Sequence, residues 1–502
     1  MRTPTNRLIC GFDKLIGMKH TTVFVLLLAL VFSATSQDKK ALKYAKTITE
    51  KDLESRLAVL ASDSLEGRET GERGQQMAAE YIASKFKEFG LEPPVDSKSG
   101  KSYFQLYPLR KLTYRTAYLK KGDEQKTNFE DFVYYSKSET LGEEYIDLVF
   151  VGKKSVEDLK GEDLKGKYVA IGQENMGNWR TVLAAVRELN AEGVFLFVED
   201  KSSYDFVLQR FKRFLSGTRL STSTDDGKES KVIIADTDLA TWAYGQEYGQ
   251  IETGASTRLI LNADMLVEDI DVENVLGFLK GSEKPEEVLV VTSHYDHIGI
   301  SADGQVNNGA DDDGSGTTTV LEIAEAFSIA ASKGVKPKRS VLFMTVSGEE
   351  KGLLGSEYYS NNPVFPLENT VTNLNVDMVG RVDPDHEGGD NEEYVYVIGA
   401  DKLSQELHDV SEKVNKTYVN LDLDYTYNDE NDPNRYYYRS DHYNFAKKNV
   451  PIIFYFNGTH ADYHRPTDTI EKIRFDVMHK RALLVFFTAW ELANRENRVK
   501  LD

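Results

Sequence analysis

Apolar residues recur at a helical spacing in the first part of the chain. Between residues 48 and 91 they include Ala78, Ile82 and Phe86, which are four residues apart and therefore lie on one face of a helix. The glycine-rich stretch LEGRETGERG, residues 65–74, interrupts this pattern. The sequence predicts two helices joined by a glycine-bearing loop.

Short strand-like runs replace the helical pattern between about residues 122 and 275. They include YIDLVFVG (145–152), KYVAIG (167–172) and GVFLFVED (193–200), which are rich in β-branched and aromatic residues and end in turn-forming residues. This change of character predicts a separate, mainly β module inserted into the chain.

Four apolar runs alternate with helical stretches from Asn274 onward. The runs are EVLVVTS (287–293), SVLFMTVS (340–347), VTNLNVD (371–377) and VPIIFYF (450–456). A strongly helical stretch, TTTVLEIAEAFSIAAS (317–332), follows the first of them. The alternation predicts an α/β fold with a mostly parallel, mixed sheet sandwiched by helices.

The acidic, tyrosine-rich stretch 420–439 shows neither the helical spacing nor the strand-like runs of apolar residues, and it is expected to form a long loop. A solvated loop is preferred to a calcium site there, although its carboxylates suit that ion.

An apolar run near the start of the chain, TVFVLLLALVFSA (22–34), is too short for a membrane span of about 20 residues. Lys19 precedes the run, and the small residues Ala34 and Ser36 precede Gln37. This order is typical of a secretory signal peptide cleaved before Gln37, with Met18 as the true start. An uncleaved anchor is the alternative.

The length of 502 residues indicates more than one structural unit. A net charge of -20 argues against nucleic acid and anionic membrane surfaces as partners. The one cysteine, Cys10, lies in the predicted signal, so the mature chain would hold no disulfide. We expect an exported protein of the bacterial periplasm or exterior, without stable membrane insertion after cleavage. The predicted units are the signal peptide 1–36, an N-terminal helical part 37–124, the insert 125–270 and a C-terminal α/β domain 271–502.

Polar clusters follow the predicted strands of the second half, namely SHYDH, SGEE, VDMVG and HADYHRPTDT, while GADDDGSG precedes the long helix. The carboxyl ends of parallel strands meet at one edge of a sheet, so these clusters should lie together. Three adjacent carboxylates at 311–313 repel one another unless a cation binds near them. Imidazole and carboxylate donors without sulfur suit zinc, and several carboxylates in one site suggest two ions.

These motifs carry a family resemblance. SHYDHIG, GADDDGSG, SGEEKGLLGS, NVDMVGR and YHRPTDT are similar to successive motifs of the co-catalytic di-zinc aminopeptidase family that also contains glutamate carboxypeptidase and the transferrin receptor. The likeness covers 274–502, with 65–86 as its N-terminal part. It implies a zinc peptidase core of the phosphorylase/hydrolase-like fold. The inserted region resembles a protease-associated domain, which in relatives borders the substrate cleft.

The resemblance also implies a role for individual residues. Two Zn²⁺ ions per chain are expected, one held by His294 and Asp377 and the other by Glu350 and His464, with Asp312 bridging them. Glu349 matches the general base, Asp296 the carboxylate that orients His294, and Tyr463 the tyrosine that stabilises the oxyanion.

Other polar residues compete for these roles. His297 is assigned a structural role, and His464 is preferred to His460 because Asp468 follows it as a hydrogen-bond partner. Asp311 and Asp313 are expected to form turns or to support the ligands. Asp441 and His442 are expected to brace the cleft.

The implied function is an exported exopeptidase that hydrolyses the N-terminal bond of peptide substrates with a metal-bridging water and Glu349 as base. A carboxypeptidase of the same family is the nearest alternative, which Arg435 and Arg439 favour as a basic pocket. A non-catalytic binding protein similar to the transferrin receptor and a single-zinc cyclase of N-terminal glutamine are further alternatives. The sequence leaves the oligomeric state open.

Overall fold

The computed structural model describes residues 37–136, 142–153, 159, 163–176, 185, 188–189, 191–215, 219–222, 231–301, 303–389 and 391–502. The predicted signal peptide lies outside the described residues. In the described part of the chain, no helix combines the length and apolar character needed to cross a bilayer.

The two helices predicted near the start are confirmed as α2 and α3. Thr49 caps α2 by accepting a hydrogen bond from the backbone N–H of Asp52, and Gly90 ends α3 in the left-handed conformation. The helices are α1 Lys39–Ala45, α2 Glu50–Leu60, α3 Arg73–Phe89, α4 Lys201–Leu215, α5 Thr237–Tyr244, α6 Gly316–Ser332, α7 Leu354–Asn361, α8 Gln405–Tyr418, α9 His442–Ala446 and α10 Phe475–Asn494.

Most strands belong to one large mixed sheet. The strands are β1 Val95–Ser97, β2 Gly100–Ser102, β3 Phe104–Lys121, β4 Glu124–Thr127, β5 Phe132–Tyr135, β6 Glu143–Phe150, β7 Tyr168–Gln173, β8 Gly193–Val198, β9 Arg219–Thr222, β10 Lys231–Asp236, β11 Ser256–Leu279, β12 Lys284–His294, β13 Arg339–Val346, β14 Thr370–Val376, β15 Tyr394–Ile398, β16 Asp422–Asp424 and β17 Ile452–Phe456.

The four predicted strands of the second half are β12, β13, β14 and β17, and they form the parallel centre of the sheet in the order β13, β12, β14, β17. Every residue of β13, β14 and β17 is buried. A strand covered on both faces reads as a continuous apolar run, which is why the sequence revealed these strands. The antiparallel neighbours β11 and β15 make the sheet mixed, so the predicted fold class is confirmed.

Helices cover both faces of this centre. One face packs against α1, α2, α3, α6, α8 and α10, where the rings of Phe327 and Trp490 lie 5.4 Å apart. The other face packs against α7 and α9 through Tyr359 and Phe445. Burying each such aromatic side chain contributes on the order of 1.5–3 kcal/mol, which holds the sheet edge in a fixed position.

A long antiparallel ribbon joins this centre to a second group of strands. β3 and β11 pair from Phe104↔Val275 to Lys120↔Ile260. β11 also pairs with β13 near its end and with β6 near its start, so the sheet continues through β6, β7, β8, β10 and β5. Separate hydrophobic clusters cover this part, with α4 and α5 packed on them. β11 continues across residue 270, which is the predicted end of the insert. The predicted bounds of the insert and its likeness to a protease-associated domain stay predictions.

Two strands near the acidic stretch were not predicted. β15 has five residues, and β16 is a three-residue strand at the sheet edge whose sequence is DLD. The three-residue edge strand β16 buries little apolar surface, whereas β15, with the sequence YVYVI, is as long and as fully buried as β17 and carried the same signal. The expected loop 420–439 thus contains β16, and it also contains two short 3₁₀ helices, Thr426–Asn428 and Tyr436–Tyr438, between turns and irregular chain.

Candidate active site

The polar residues after the central strands lie at one edge of the sheet. β12 ends at His294, Asp377 directly follows β14, and Glu349 lies three residues after β13. Because these three strands are parallel, their carboxyl ends open at the same edge. The loop of Asp312 precedes α6, and His464 lies in the segment after β17.

One donor set forms around His294. Its Nε2 is 3.2 Å from Oδ1 of Asp312 and 3.6 Å from Oδ1 of Asp377. A second set forms around His464, whose Nε2 is 3.1 Å from Oδ2 of Asp312 and 3.1 Å from Oε2 of Glu350. Asp312 therefore turns one carboxylate oxygen to each set.

These separations fit zinc. Donor atoms that bind one tetrahedral zinc ion at about 2.0–2.2 Å lie about 3.3 Å from one another. Oδ2 of Asp312, Oε1 of Glu350 and Nε2 of His464 are buried without a hydrogen-bond partner among the described residues. Unpartnered buried donors of this kind are costly unless an ion binds them. The residues present thus fit two zinc ions with Asp312 between them.

The protonation equilibria also favour positive charge here. Burial would lower the pKa of His294, but the charges of Glu349 and Asp377 outweigh burial and raise that pKa well above its ordinary value. The pKa of His464 rises to about 10 against burial, because the carboxylates of Asp312 and Glu350 lie against its Nε2. Burial is likewise outweighed at Asp312, where the two imidazoles beside the carboxylate hold its pKa well below the usual range. The centre of the site is thus built for cations.

Asp313 lies close enough to His294 and Asp377 to be grouped with them as a donor. Its oxygens are occupied, however: Oδ1 accepts from the backbone N–H groups of Gly316 and Met378, and Oδ2 from that of His294. Asp313 therefore holds the strand ends together, in agreement with the expected supporting role.

The neighbouring residues Asp311 and Asp468 also brace the loop of Asp312. Nε2 of His460 lies 3.1 Å from Oδ2 of Asp311, so His460 serves Asp311 and His464 faces the donor sets. Oδ2 of Asp468 accepts from the backbone N–H groups of Asp311 and Asp312 at 3.0 and 3.2 Å. The expected pairing of Asp468 with His464 is not observed among the described residues: Oδ2 of Asp468 serves the backbone of the Asp312 loop, and Oδ1 lies 3.8 Å from Nη1 of Arg381.

Asp296 orients His294 mainly through its backbone. Nδ1 of His294 donates to the carbonyl oxygen of Asp296 at 3.1 Å, while the Asp296 carboxylate is 3.7 Å away. A carbonyl can only accept, so Nδ1 carries a proton, and Nε2, which faces Asp312 and Asp377, is the nitrogen that a metal would bind. The carboxylate itself accepts from Thr70 and from the backbone N–H of Glu349.

A pocket opens beside the first donor set, which includes the shared residue Asp312. Its polar side is formed by His294, Asp312, Glu349 and Asp377, and its apolar side by Met378, Tyr436, Phe454 and Phe456. Tyr463 lines the pocket and stacks on His464 with ring centroids 3.9 Å apart. Burial raises the pKa of Tyr463 well above its ordinary value, so its hydroxyl stays protonated. Arg439 donates to that hydroxyl at 3.5 Å and lies over the ring of Tyr436.

Residues 439–442, RSDH, make several contacts in and around the site that the sequence did not predict. Ser440 donates to Oδ2 of Asp377 at 2.6 Å, which leaves Oδ1 for the first donor set. Asp441 is fully buried, and burial raises its pKa to about 7. His442 donates to the carbonyl oxygen of Tyr437 and stacks on Phe454 of the pocket wall, in agreement with the expected bracing role.

Arg68 is a further residue that the sequence reasoning missed. Its guanidinium is buried and donates to the carbonyl oxygens of Leu60, Tyr295, Asn308 and Gly309. These four groups come from α2, from the segment after β12 and from the loop before Asp312. The only sequence signal was the position of Arg68 in the glycine-rich stretch, which shows no chemistry by itself.

The profile of Peptidase family M28 matches residues 274–489. A probable leucine aminopeptidase of Arthroderma otae is 31% identical over 299 residues, which are 58% of this chain and 74% of that relative. The chain belongs to peptidase family M28. The M28 match contains all eight proposed site residues, and the resemblance drawn from the motifs is confirmed.

Other relatives align over shorter stretches. A probable zinc metalloprotease of Leptosphaeria maculans is 36% identical over 117 residues, 22% of this chain and 25% of the relative. A probable zinc metalloprotease of Pyrenophora tritici-repentis is 38% identical over 120 residues and is covered to 22%. The chain thus spans about a quarter of the length of these curated relatives.

Solved structures share the fold. The aminopeptidase from Aneurinibacillus sp. strain AM-1 superposes with a TM-score of 0.57 at 19% identity, covering 91% of this chain and 97% of that chain. A zinc aminopeptidase from Bacillus subtilis gives a TM-score of 0.51 at 18% identity, covering 89% and 96%. Both likenesses extend over the M28 core and the second group of strands.

Proposed function

We propose that this chain is a two-zinc exopeptidase that removes residues from the amino terminus of peptides. The observation that carries the proposal is the pair of donor sets that share Asp312 beside a pocket. Membership of the M28 family and the likeness to a relative named a probable leucine aminopeptidase support it.

The first zinc is assigned to His294 and Asp377, and the second to Glu350 and His464, with Asp312 bridging. Zinc bound there would polarise the scissile carbonyl and make a water molecule acidic enough to attack near neutral pH.

Glu349 is assigned as the general base. It lines the pocket without belonging to either donor set. Burial, together with the charge of Glu350, raises the pKa of Glu349 well above its ordinary value. A carboxylate with a raised pKa accepts the proton of the attacking water and holds it until it passes to the leaving amine.

Tyr463 is assigned to the carbonyl oxygen of the scissile bond. Its protonated hydroxyl lies beside His464, where negative charge develops during attack. A fixed donor at that position stabilises the tetrahedral oxyanion more than the planar carbonyl.

The pocket can take one end of a peptide beside the proposed zinc ions. Two of the three carboxylates on its polar side, Asp312 and Asp377, are assigned to zinc, so the choice of the amino end is supported by the likeness to a relative named a probable leucine aminopeptidase. Its apolar side can take the first side chain.

A panel of matched peptides tests the proposal. One sequence is prepared with a free amino terminus, with an acetylated one and with an amidated carboxyl terminus. The free and amidated peptides should lose their first residue, the acetylated peptide should resist, and a strong chelator should stop release until zinc is returned. Hydrolysis of the acetylated peptide at the same rate would contradict an aminopeptidase.

A carboxypeptidase is the second candidate, because Arg439 places a guanidinium in the pocket. A guanidinium suits a terminal carboxylate. In the same panel, a carboxypeptidase would cleave the acetylated peptide and spare the amidated one.

Export and the role of the insert are also proposals. We propose that residues 1–36 are removed on export and that the region 125–270 borders the substrate cleft. N-terminal sequencing of the exported protein should start at Gln37, and a start at Met18 or Met1 would contradict signal cleavage.

A further inference from the structure

His297 lies three residues after His294 and is fully buried. Its Nδ1 is 2.9 Å from Oε1 of Glu350. The other oxygen of the same carboxylate, Oε2, is 3.1 Å from Nε2 of His464. Two histidines therefore contact opposite oxygens of one proposed zinc ligand.

His297 stands farther than His464 from the bridging carboxylate. Nδ1 of His297 is 3.8 Å from Oδ2 of Asp312, whereas Nε2 of His464 is 3.1 Å from the same oxygen. His297, Asp312 and Glu350 are close enough to form a donor group of their own. The set that contains His464 is more compact, and its spacing fits a single ion better.

The position of His297 is fixed by the chain around it. Its backbone N–H donates to the carbonyl oxygen of Arg68 at 3.1 Å. The backbone of Gly309 lies against the imidazole, since a Cβ at that position would come within 2.6 Å of two ring atoms. The ring thus has little freedom to turn, while a glutamate side chain has several rotatable bonds.

Glu350 needs such a fixed partner. It shares the site with the carboxylates of Glu349 and Asp312, which repel it. Neither Oε1 of Glu350 nor Nδ1 of His297 has a hydrogen-bond partner among the described residues, although the two atoms lie only 2.9 Å apart. At that distance, a rotation of the carboxylate that aligns the two atoms would satisfy both of them.

We propose that His297 is a positioning residue of the second zinc site, which donates from Nδ1 to Oε1 of Glu350 and so presents Oε2 to the metal. The proposal rests on the two-zinc function proposed above. Partners that orient a metal ligand typically change metal affinity by about 10–100-fold.

Two variants of similar size separate the roles of the ring nitrogens. His297→Asn keeps an amide N–H near the position of Nδ1, whereas His297→Gln places its amide near the distant Nε2 and leaves Oε1 without a donor. His297→Leu removes both nitrogens. His479→Asn is the matched control, because the ring of His479 contacts the carbonyl oxygen of Ile48, away from the site. Zinc content and affinity are measured by competition with a chelator of known strength, and folding by circular dichroism.

We expect His297→Gln and His297→Leu to hold one zinc tightly and the second with affinity weakened by about 10–100-fold, while His297→Asn and the control keep both close to wild type. If every His297 variant keeps wild-type zinc affinity, the residue only fills space and the proposal is wrong. If His297→Asn loses the second zinc as fully as His464→Ala does, His297 is a direct ligand and the proposal is wrong as well.

A double variant tests whether His297 acts through Glu350. Once Glu350→Gln has removed the ligand carboxylate, adding His297→Gln should change zinc affinity by less than about threefold, because neighbouring residues in one network are not additive. If the two substitutions weaken zinc binding independently, so that their fold-losses in affinity multiply, the proposal is wrong. A wild-type protein that binds no zinc would instead refute the proposed function itself.

Discussion

At the scale of single residues, Glu349 and Glu350 are chemically identical neighbours with different surroundings. Glu349 lines the pocket, and its backbone N–H donates to Asp296. Glu350 turns away from this pocket wall toward His464 and His297. Adjacent residues that leave a strand point in different directions, so the two carboxylates can serve different roles.

The two glutamates should respond differently to the same change. Glu349→Gln removes the proton acceptor but keeps the size of the side chain, so we expect kcat to fall by at least about 10²-fold with both zinc ions retained. Glu350→Gln should lose metal as well, because a neutral amide is a poor zinc ligand. Kinetics and metal analysis decide the matter. An active Glu349→Gln, or one that sheds zinc while Glu350→Gln does not, would reverse the assignment.

Arg68 links the N-terminal segment to the Asp312 loop through hydrogen bonds to four carbonyl oxygens. Lysine has a compact charge and cannot reach these carbonyls in a planar fork. We expect Arg68→Lys to lower the free energy of unfolding by about 1–3 kcal/mol, as for buried acceptors left without a donor. Denaturant unfolding measures this loss, with Arg73→Lys as the exposed control. Equal stability of the two variants would contradict the role of Arg68.

The sequence was most informative for residues that directly end a buried strand, such as His294 and Asp377. Their positions follow from strand register, which the apolar runs reveal. Residues that act through the backbone of distant segments, such as Arg68 and Ser440, have no periodic signature. Asp468 was misassigned for the same reason: the sequence shows its nearness to His464 along the chain but not the loop that it braces.

At the scale of elements, the short helix α9 supports one wall of the pocket. His442 begins the helix and is fully buried, and its ring stacks on Phe454 of β17 at 4.6 Å. Burial lowers the pKa of His442 from 6.5 to about 3, because the charged ring would lose its hydration. The folded protein therefore needs this histidine neutral.

Because His442 must be neutral in the folded protein, we expect the protein to lose stability in acid. The unfolded chain takes up a proton at His442 below about pH 6.5 and the folded chain does not, so stability is full above that pH and falls toward pH 3. At pH 5 the loss is about 2 kcal/mol. His442→Gln keeps a donor for the carbonyl of Tyr437 but does not titrate. We expect the gap in Tm between wild type and this variant to shrink from pH 7.5 to pH 5. A constant gap would show that His442 does not contribute to the acid sensitivity.

At the scale of the whole molecule, β3 and β11 carry the second group of strands on the catalytic centre. All eight proposed site residues lie outside that group, between His294 and His464. The pair Thr116↔Asp264 joins the two strands across the ribbon, so the chain can be closed there. The sequence predicted an insert but could not show this shared ribbon, because pairing between distant strands leaves no local pattern.

Excising residues 117–263 and joining the ribbon with an Asn-Gly turn should leave both zinc ions in place. The turn suits a two-residue hairpin, and no proposed ligand is removed. We expect zinc content close to wild type and an altered KM or substrate range, since the proposed border of the cleft is lost. Metal analysis and a peptide panel on the folded variant measure both effects. Loss of both ions from a folded variant would place ligands in the excised part.

Two zinc ions are proposed to share the carboxylate of Asp312. Anomalous diffraction at the zinc edge, on crystals of the zinc-loaded protein, locates each ion separately. We predict two peaks about 3.5–4 Å apart, one beside His294 and Asp377 and the other beside Glu350 and His464, with Asp312 between them. A single peak at full zinc loading, or peaks away from Asp312, would show that Asp312 does not bridge two ions.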